Sequence, residues 1–318
     1  MRRWFYFIIL VIAVYSVASS VGLAQGAAGS SAKSVVKLDP ALDALIEESA
    51  KLQVVSSDFS KGDSPATEGP VWIAERSDPD GGHFVFTDSR RTRLARWSPG
   101  TGLAQAYDLK KLLGMLDAER SPYSGLALDP QGRIVFCTSG RHAVVRIEAD
   151  GKATIVAEKY DGKPLNNPND ITIARNGTIF FTDNSRDESG QMPPTVYRLK
   201  DGQLTPVVKG LQGPNGITLS PDNKTLYVND IRRRLVFRYD VGPGDSISNE
   251  RLFIDMSKDK ADGGNDGMRT DSRGNLYDSG PGGVWIISPD GKHLGTILTP
   301  DRISNLSFGG PDEIGRAH

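Results

Sequence analysis

Apolar and polar residues alternate in short runs along most of the chain, and turns rich in Asp, Pro, Asn and Gly separate the runs. Alternation with a period of two predicts β-strands with one buried face. Clear examples are the runs at 84–88, 179–183 and 236–239. The pairs Asp150-Gly151 and Asp201-Gly202 follow such runs and predict hairpin turns. The pattern therefore predicts an all-β protein.

A five-residue phrase recurs at intervals of 38 to 56 residues, with one polar residue, one small residue and then an alternating apolar run. Its copies begin at Glu68, Ser124, Asn169, Asn215, Asp266 and, more weakly, Ser304. Repeats of this length that each hold four strand-like runs are typical of a β-propeller. A β-sandwich is the alternative, but it offers no reason for the same unit to recur. We therefore predict a six-bladed β-propeller with an incomplete last blade, in which each phrase opens the innermost strand.

The first 24 residues have the pattern of a secretory signal peptide. Arg2-Arg3 precede an apolar run at 4–14, and the small residues at 22–24 resemble a cleavage site. A membrane anchor is the alternative, for which the run is short. We expect a periplasmic or secreted protein that has no membrane contact after cleavage.

The remaining chain divides into two segments. Residues 25–51 form a lead-in with a short helix that begins at Asp39-Pro40, and residues 52–318 form the propeller. The sequence stops where three more strands of the sixth blade would follow, so we expect a C-terminally truncated propeller. A form with a complete last blade should then melt at a higher temperature, unless a strand at 52–55 fills part of the gap.

Composition excludes several functions. The net charge is −1 and no long basic block occurs, so nothing indicates nucleic acid as a partner. The four histidines show no metal-binding spacing, and no Gly-x-Ser-x-Gly sequence is present. The single Cys137 lies in an apolar run and is predicted to be a buried core residue. The sequence does not predict an oligomeric state.

The leading polar residues of the phrases supply only oxygen donors. If the phrases open the inner strands, Glu68, Asn169, Asn215 and Asp266 converge at one end of the channel. All-oxygen ligation with two carboxylates suits Ca²⁺ best, with Mg²⁺, Mn²⁺ or Zn²⁺ also possible. Without a cation, the two carboxylates would repel and raise each other's pKa. The alternative is that Asn-Gly and Asp-Gly pairs only shape the turns that enter the strands.

Several phrases resemble those of the regucalcin (senescence marker protein) and gluconolactonase family. They are Glu68-Gly69-Pro70-Val71-Trp72, Asn167-Pro168-Asn169-Asp170, Gly213-Pro214-Asn215-Gly216-Ile217, Asp266-Gly267-Met268 and Phe308-Gly309-Gly310. Within the family, the segments 38–42 and 283–297 resemble the secreted bacterial gluconolactonases most closely. The resemblance implies a six-bladed propeller that hydrolyses sugar lactones with one divalent cation.

The resemblance also implies roles for single residues. Glu68, Asn215 and Asp266 match the metal ligands, and Asp266 also matches the general base. Asn169 matches an Asn that lies beside the metal and contacts substrate or a ligand water. Animal members have an Arg two residues before that Asn; Asn167 stands there in this sequence, and we extend a substrate-binding role to it. The alternatives are a non-catalytic sugar-binding propeller with a structural cation, and a related hydrolase of aryl esters or other lactones.

Overall fold

The structure, a computed structural model, describes residues 7–12, 34–47, 50, 52–54, 67–89, 91–114, 123–184 and 192–310. The predicted cleavage site at 22–24, the lead-in at 25–33 and the C-terminal residues 311–318 lie outside this part of the chain. In the described residues, no helix has the length and apolar content that a membrane span requires.

Two short strands precede the blades and pair with strands that come much later in the chain. β1 (Phe7–Ile12) pairs with the last strand, and β2 (Val35–Lys37) extends the fifth blade. The predicted N-terminal helix is present as a 3₁₀ helix, Pro40–Ala44. Asp39 caps it, because its carboxylate accepts a hydrogen bond from the backbone N–H of Ala41 at 2.8 Å.

Blades 1 and 2 are four-stranded antiparallel sheets whose strands follow each other in chain order. Blade 1 consists of β3 (Thr67–Ala74), β4 (Gly82–Asp88), β5 (Arg93–Ser98) and β6 (Gly102–Asp108). A short helix, α1 (Leu109–Leu113), follows β6. Blade 2 consists of β7 (Tyr123–Leu128), β8 (Ile134–Thr138), β9 (Ala143–Ile147) and β10 (Ala153–Ala157), with a 3₁₀ turn at Ser139–Arg141.

Blades 3 to 5 repeat this arrangement after a small hairpin of β11 (Lys159–Tyr160) and β12 (Lys163–Pro164). Blade 3 consists of β13 (Pro168–Ile173), β14 (Ile179–Asp183), β15 (Thr195–Lys200) and β16 (Gln203–Lys209). Blade 4 consists of β17 (Pro214–Leu219), β18 (Thr225–Asp230), β19 (Leu235–Val241) and β20 (Ile247–Asp255), with a 3₁₀ turn at Pro243–Asp245. Blade 5 consists of β21 (Met268–Thr270), β22 (Leu276–Gly280), β23 (Gly283–Ile287) and β24 (His293–Leu298).

The all-β propeller is confirmed, but the prediction of six blades is wrong, because the described residues form five. At the sixth position the described chain has β25 (Ile303–Gly309), which pairs with β1 in a two-stranded sheet. β25 still closes the ring of inner strands. Gly267 N donates to Ser304 O at 2.7 Å on one side, and Ser304 Oγ donates to Thr67 O at 2.9 Å on the other.

β1 lies inside the segment predicted to be a signal peptide. Its sequence, FIILVI, is rich in β-branched residues, so the same apolar run that suits a signal peptide also suits a strand. Cleavage after residue 24 would remove β1 and leave β25 without this partner. The domain prediction stays a prediction.

Apolar side chains from neighbouring blades interlock and form the core. Phe180 of blade 3, for example, packs with Ile217 and Val228 of blade 4, and all three are almost fully buried. Cys137 is also fully buried, as predicted, in the cluster between blades 2 and 3. The inner strands are therefore held from outside by close packing.

Leu42 should contribute much more to stability than Leu38 in the same segment. Leu42 is 2% exposed and packs with Tyr277, Val284 and other residues of blade 5, whereas Leu38 is 58% exposed. We expect Leu42→Ala to lower the free energy of unfolding by about 2–4 kcal/mol, measured by urea denaturation. Leu38→Ala is the control and should change it by less than about 0.5 kcal/mol. Equal effects would show that the 3₁₀ helix does not dock on blade 5.

Candidate active site at one end of the channel

The recurring phrase forms a β-bulge at the start of four inner strands. The register of β3, β7, β13 and β17 against the second strand of its blade shifts at 68–71, 123–126, 168–171 and 214–217. In blade 5 the phrase Asp266-Gly267 directly precedes β21. A bulge turns side chains away from the regular alternation. The leading polar residues thus lie at the same end of the channel.

The small second residue of the phrase makes room for a polar group of the next blade. A Cβ atom on Gly125 would lie 2.0 Å from Asp170 Oδ1, and one on Gly267 would lie 2.1 Å from Asn305 Cγ. A Cβ atom on Gly216 would lie 1.9 Å from Asp266 O. Glycine is required here because real Cβ atoms cannot approach so closely. Polar groups from adjacent blades are therefore packed together around the axis.

Glu68, Asn215 and Asp266 come together at this end. Burial, followed by the charge of Asp170, raises the pKa of Glu68 to about 7. Burial, followed by the charge of Glu68, raises the pKa of Asp266 well above its usual value. The side chain of Asn215 hydrogen-bonds Asp266, while its Oδ1 is buried with no hydrogen-bond partner among the described residues. The site thus holds two carboxylates and one free amide oxygen.

The two predicted substrate-binding residues differ in their surroundings. The backbone N–H of Asn167 donates to Asp183 Oδ1 at 2.6 Å, and its side-chain Nδ2 is buried without a partner in the part of the chain that the structure describes. Asn169 is half-buried within the bulge of β13. Both lie at the same end of blade 3 as the other predicted residues, and their roles stay predictions.

The structure adds three residues that the sequence reasoning did not assign to the site. Asn305 Nδ2 donates to Glu68 Oε2 at 3.1 Å and to Asp170 Oδ1 at 3.3 Å. Asp170 Oδ2 lies 3.6 Å from Arg269 Nη1; burial raises the pKa of Asp170, and the charge of Arg269 partly offsets this. Asp170 and Asn305 occupy the second position of the phrase, where the other copies have glycine. The replacement of glycine by a polar residue at these two positions is the feature of the sequence that could have identified them.

Arg269 separates this site from the opposite mouth of the channel. Its guanidinium also donates to Leu126 O at 3.2 Å, and therefore bridges blades 5, 3 and 2. A cavity of about 570 Å³ lies on the far side and is lined by residues that include Trp72, Leu128, Thr218 and Phe308. The predicted catalytic residues do not line this cavity.

A second group of possible metal ligands lies at the far end of blade 1. Ligand atoms of Glu75 and Asp78, in the turn after β3, and of His83 in β4 lie within 4.8 Å of one another. The His83 ring is mostly buried, and burial lowers its pKa. This group contains a histidine and one exposed carboxylate, so it differs in chemistry from the all-oxygen set at the channel.

The fold and the site define a class: a β-propeller with carboxylate and amide side chains gathered at one end of its channel. The chain belongs to the family described as the SMP-30/gluconolactonase/LRE-like region, whose model matches residues 66–314. The predicted family is thereby confirmed.

The similarity to three named relatives extends over most of the chain. The gluconolactonase of Zymomonas mobilis is 31% identical over 94% of this chain and 88% of its own. The pentonolactonase XacC of Haloferax volcanii is 29% identical over 77% of this chain and 78% of its own. The solved gluconolactonase XC5397 of Xanthomonas campestris is 30% identical, with a TM-score of 0.62 over 77% of this chain and 82% of its own.

The free energy of unfolding of chelator-treated protein should fall as pH rises from 5 to 7.5, in part because of Glu68. Its pKa is raised from 4.5 to about 7 on folding, so the folded protein holds this proton after the unfolded chain has lost it. His83 and His293 have lowered pKa values and act in the opposite direction below about pH 6.5.

Glu68→Gln removes this carboxylate and its effect on the pKa of Asp266, and it keeps both histidines. Melting temperatures measured between pH 5 and 7.5 should fall more steeply in the wild type than in this variant. Parallel curves would contradict the raised pKa of Glu68.

Proposed function

We propose that the protein hydrolyses sugar lactones with one divalent cation held by Glu68, Asn215 and Asp266. The lactone-hydrolase prediction is confirmed by the family and by the activities named for the gluconolactonase and pentonolactonase relatives. A small-molecule lactone is thus the expected partner. The dependence on a cation, its identity as Ca²⁺, and the residue roles are our proposal.

One observation supports the cation most directly. Glu68 and Asp266 are half-buried beside each other, and Asn215 Oδ1 is buried with no partner among the described residues. Withdrawing two carboxylates and an unpaired amide oxygen from water is costly unless a positive group joins them. Their hard oxygen donors fit Ca²⁺ or, less well, Mg²⁺ or Mn²⁺. Asn169 is proposed as a further group beside the ion.

The chemistry follows from these residues. A bound cation supplies Lewis-acid polarisation of the lactone carbonyl. Asp266 takes a proton from the attacking water as the general base. Asn167 and Asn169 hydrogen-bond hydroxyls of the sugar. The unpartnered Nδ2 of Asn167 is the best placed donor for that purpose.

Asp266→Asn should reduce lactone hydrolysis by about 10²-fold or more, because it removes the general base while it keeps the side-chain volume. The assay is acid release from glucono-lactone in weak buffer. Asp150→Asn, in an exposed hairpin, is the matched control and should keep wild-type turnover. Full activity of Asp266→Asn would refute the assignment.

Chelator should abolish turnover in the same assay, and added Ca²⁺ should restore it. Sugar binding without turnover would instead support a non-catalytic propeller. Turnover of aryl esters in preference to sugar lactones would support the related hydrolase.

Asn167→Ala should raise KM several-fold and change kcat little, because a group that binds substrate equally in the ground and transition states affects KM alone. Steady-state kinetics on the preferred lactone measure this. An unchanged KM would remove Asn167 from the substrate site.

We also propose that the protein works in the periplasm or outside the cell, on the basis of the N-terminal pattern. Cell fractionation, followed by measurement of the mass of the purified protein, tests this. A protein that keeps its N-terminal segment and stays in the cytoplasm would contradict it.

A further inference from the structure

The second strands of several blades carry a polar side chain directly behind the bulge of the inner strand. Thr87 of β4 donates to Glu68 O at 3.0 Å, within its own blade. Thr182 of β14 and Asn229 of β18 occupy the corresponding positions in blades 3 and 4. Both are fully buried, and both reach the phrase of the following blade.

Thr182 connects blade 3 to blade 4. Its hydroxyl accepts a hydrogen bond from Asp170 N at 3.0 Å and donates to Asn215 O at 2.7 Å. One hydroxyl therefore fixes the backbone next to Asn169 and the backbone of Asn215. A hydroxyl can both accept and donate, which is why threonine suits this position.

Asn229 connects blade 4 to blade 5 in the same way. Its Oδ1 accepts from Gly216 N at 2.9 Å, and its Nδ2 donates to Asp266 O at 2.6 Å. The second Nδ2 hydrogen is given to Asp278 Oδ1 at 3.1 Å. Asn265 Nδ2 donates to the other oxygen of Asp278 at 2.7 Å, so the carboxylate holds the Asn229 amide in one orientation.

We infer that Thr182 and Asn229 are positioning residues that set the spacing of the proposed cation ligands Asn215 and Asp266. This inference rests on the proposed function. The carbonyl groups that they bind belong to the ligand residues themselves, so a shift in either contact moves a ligand. Groups behind the ligands of a metal commonly affect affinity by about 10- to 100-fold.

The chain offers matched controls for a purely structural role. Thr270 Oγ1 donates to Leu219 O at 2.6 Å, which also joins two blades, but at the far end of the inner strands. Asn275 Nδ2 donates to Asp271 Oδ2 at 2.8 Å, at the far end of blade 5. Both side chains are buried, so their loss also costs stability.

The test is calorimetric titration of chelator-stripped, folded protein with CaCl₂, and separately with MgCl₂, MnCl₂ and ZnCl₂. We expect Thr182→Val and Asn229→Ala to weaken binding of the preferred ion by about tenfold or more. Thr270→Val and Asn275→Ala should lower the melting temperature and leave the affinity unchanged. Thr182→Ser keeps the hydroxyl and should restore the affinity.

The outcomes separate the inference from the proposed function. Suppose that the wild type binds an ion and that Thr182→Val and Thr270→Val bind it with equal affinity. This result overturns the inference and leaves the proposed function in place. A wild type that binds none of the four ions overturns both. If Asn229→Ala does not fold, the comparison of Thr182→Val with Thr182→Ser decides the question.

Discussion

The desolvation of Glu68 and Asp266 at one end of the channel is the constraint on which the rest of this end depends. Each carboxylate loses hydration; the charge of Asp170 then raises the pKa of Glu68 further, and the charge of Glu68 raises that of Asp266 further. In a medium of lower dielectric than water this repulsion is screened less. Such an arrangement persists only if the surrounding fold holds the groups in place and a positive charge can join them.

The fold meets that requirement with backbone features. Bulges aim the leading polar residues at the axis, and glycine at the next position lets adjacent blades approach within contact distance. Hydrogen bonds from second strands then tie one bulge to the next. Arg269 lies 3.6 Å from Asp170, a third carboxylate, and its charge partly opposes the effect of burial on the pKa values of Asp170 and Glu68. The acidic groups of the channel are thus of two kinds. Asp170 lies beside the guanidinium of Arg269, whereas Glu68 and Asp266 offer oxygen donors to a bound ion.

The alternation and spacing of the phrases predicted the repeated strands, and the resemblance of several phrases predicted the family. Of the four leading residues expected to converge, the structure brings Glu68, Asn215 and Asp266 together, and Asn169 lies at the same end of blade 3. The sequence did not predict the roles of Asp170 and Asn305. They stand where the phrase has glycine elsewhere, and only the three-dimensional contacts show that each fills the space above a neighbouring glycine. The position of β1 was also missed, since a run such as FIILVI suits both a signal peptide and a strand.

The sixth position shows what a single inner strand contributes to the site. In the part of the chain that the structure describes, β25 lies in a two-stranded sheet with β1, and its Asn305 hydrogen-bonds both Glu68 and Asp170. Its backbone also bonds the strands on either side, so the ring of inner strands is continuous. Outer strands support an inner strand through packing, whereas the chemistry at the axis is built only from inner strands and the side chains directly behind them. The geometry of the site therefore depends directly on the six inner strands, which bring their polar residues to the axis.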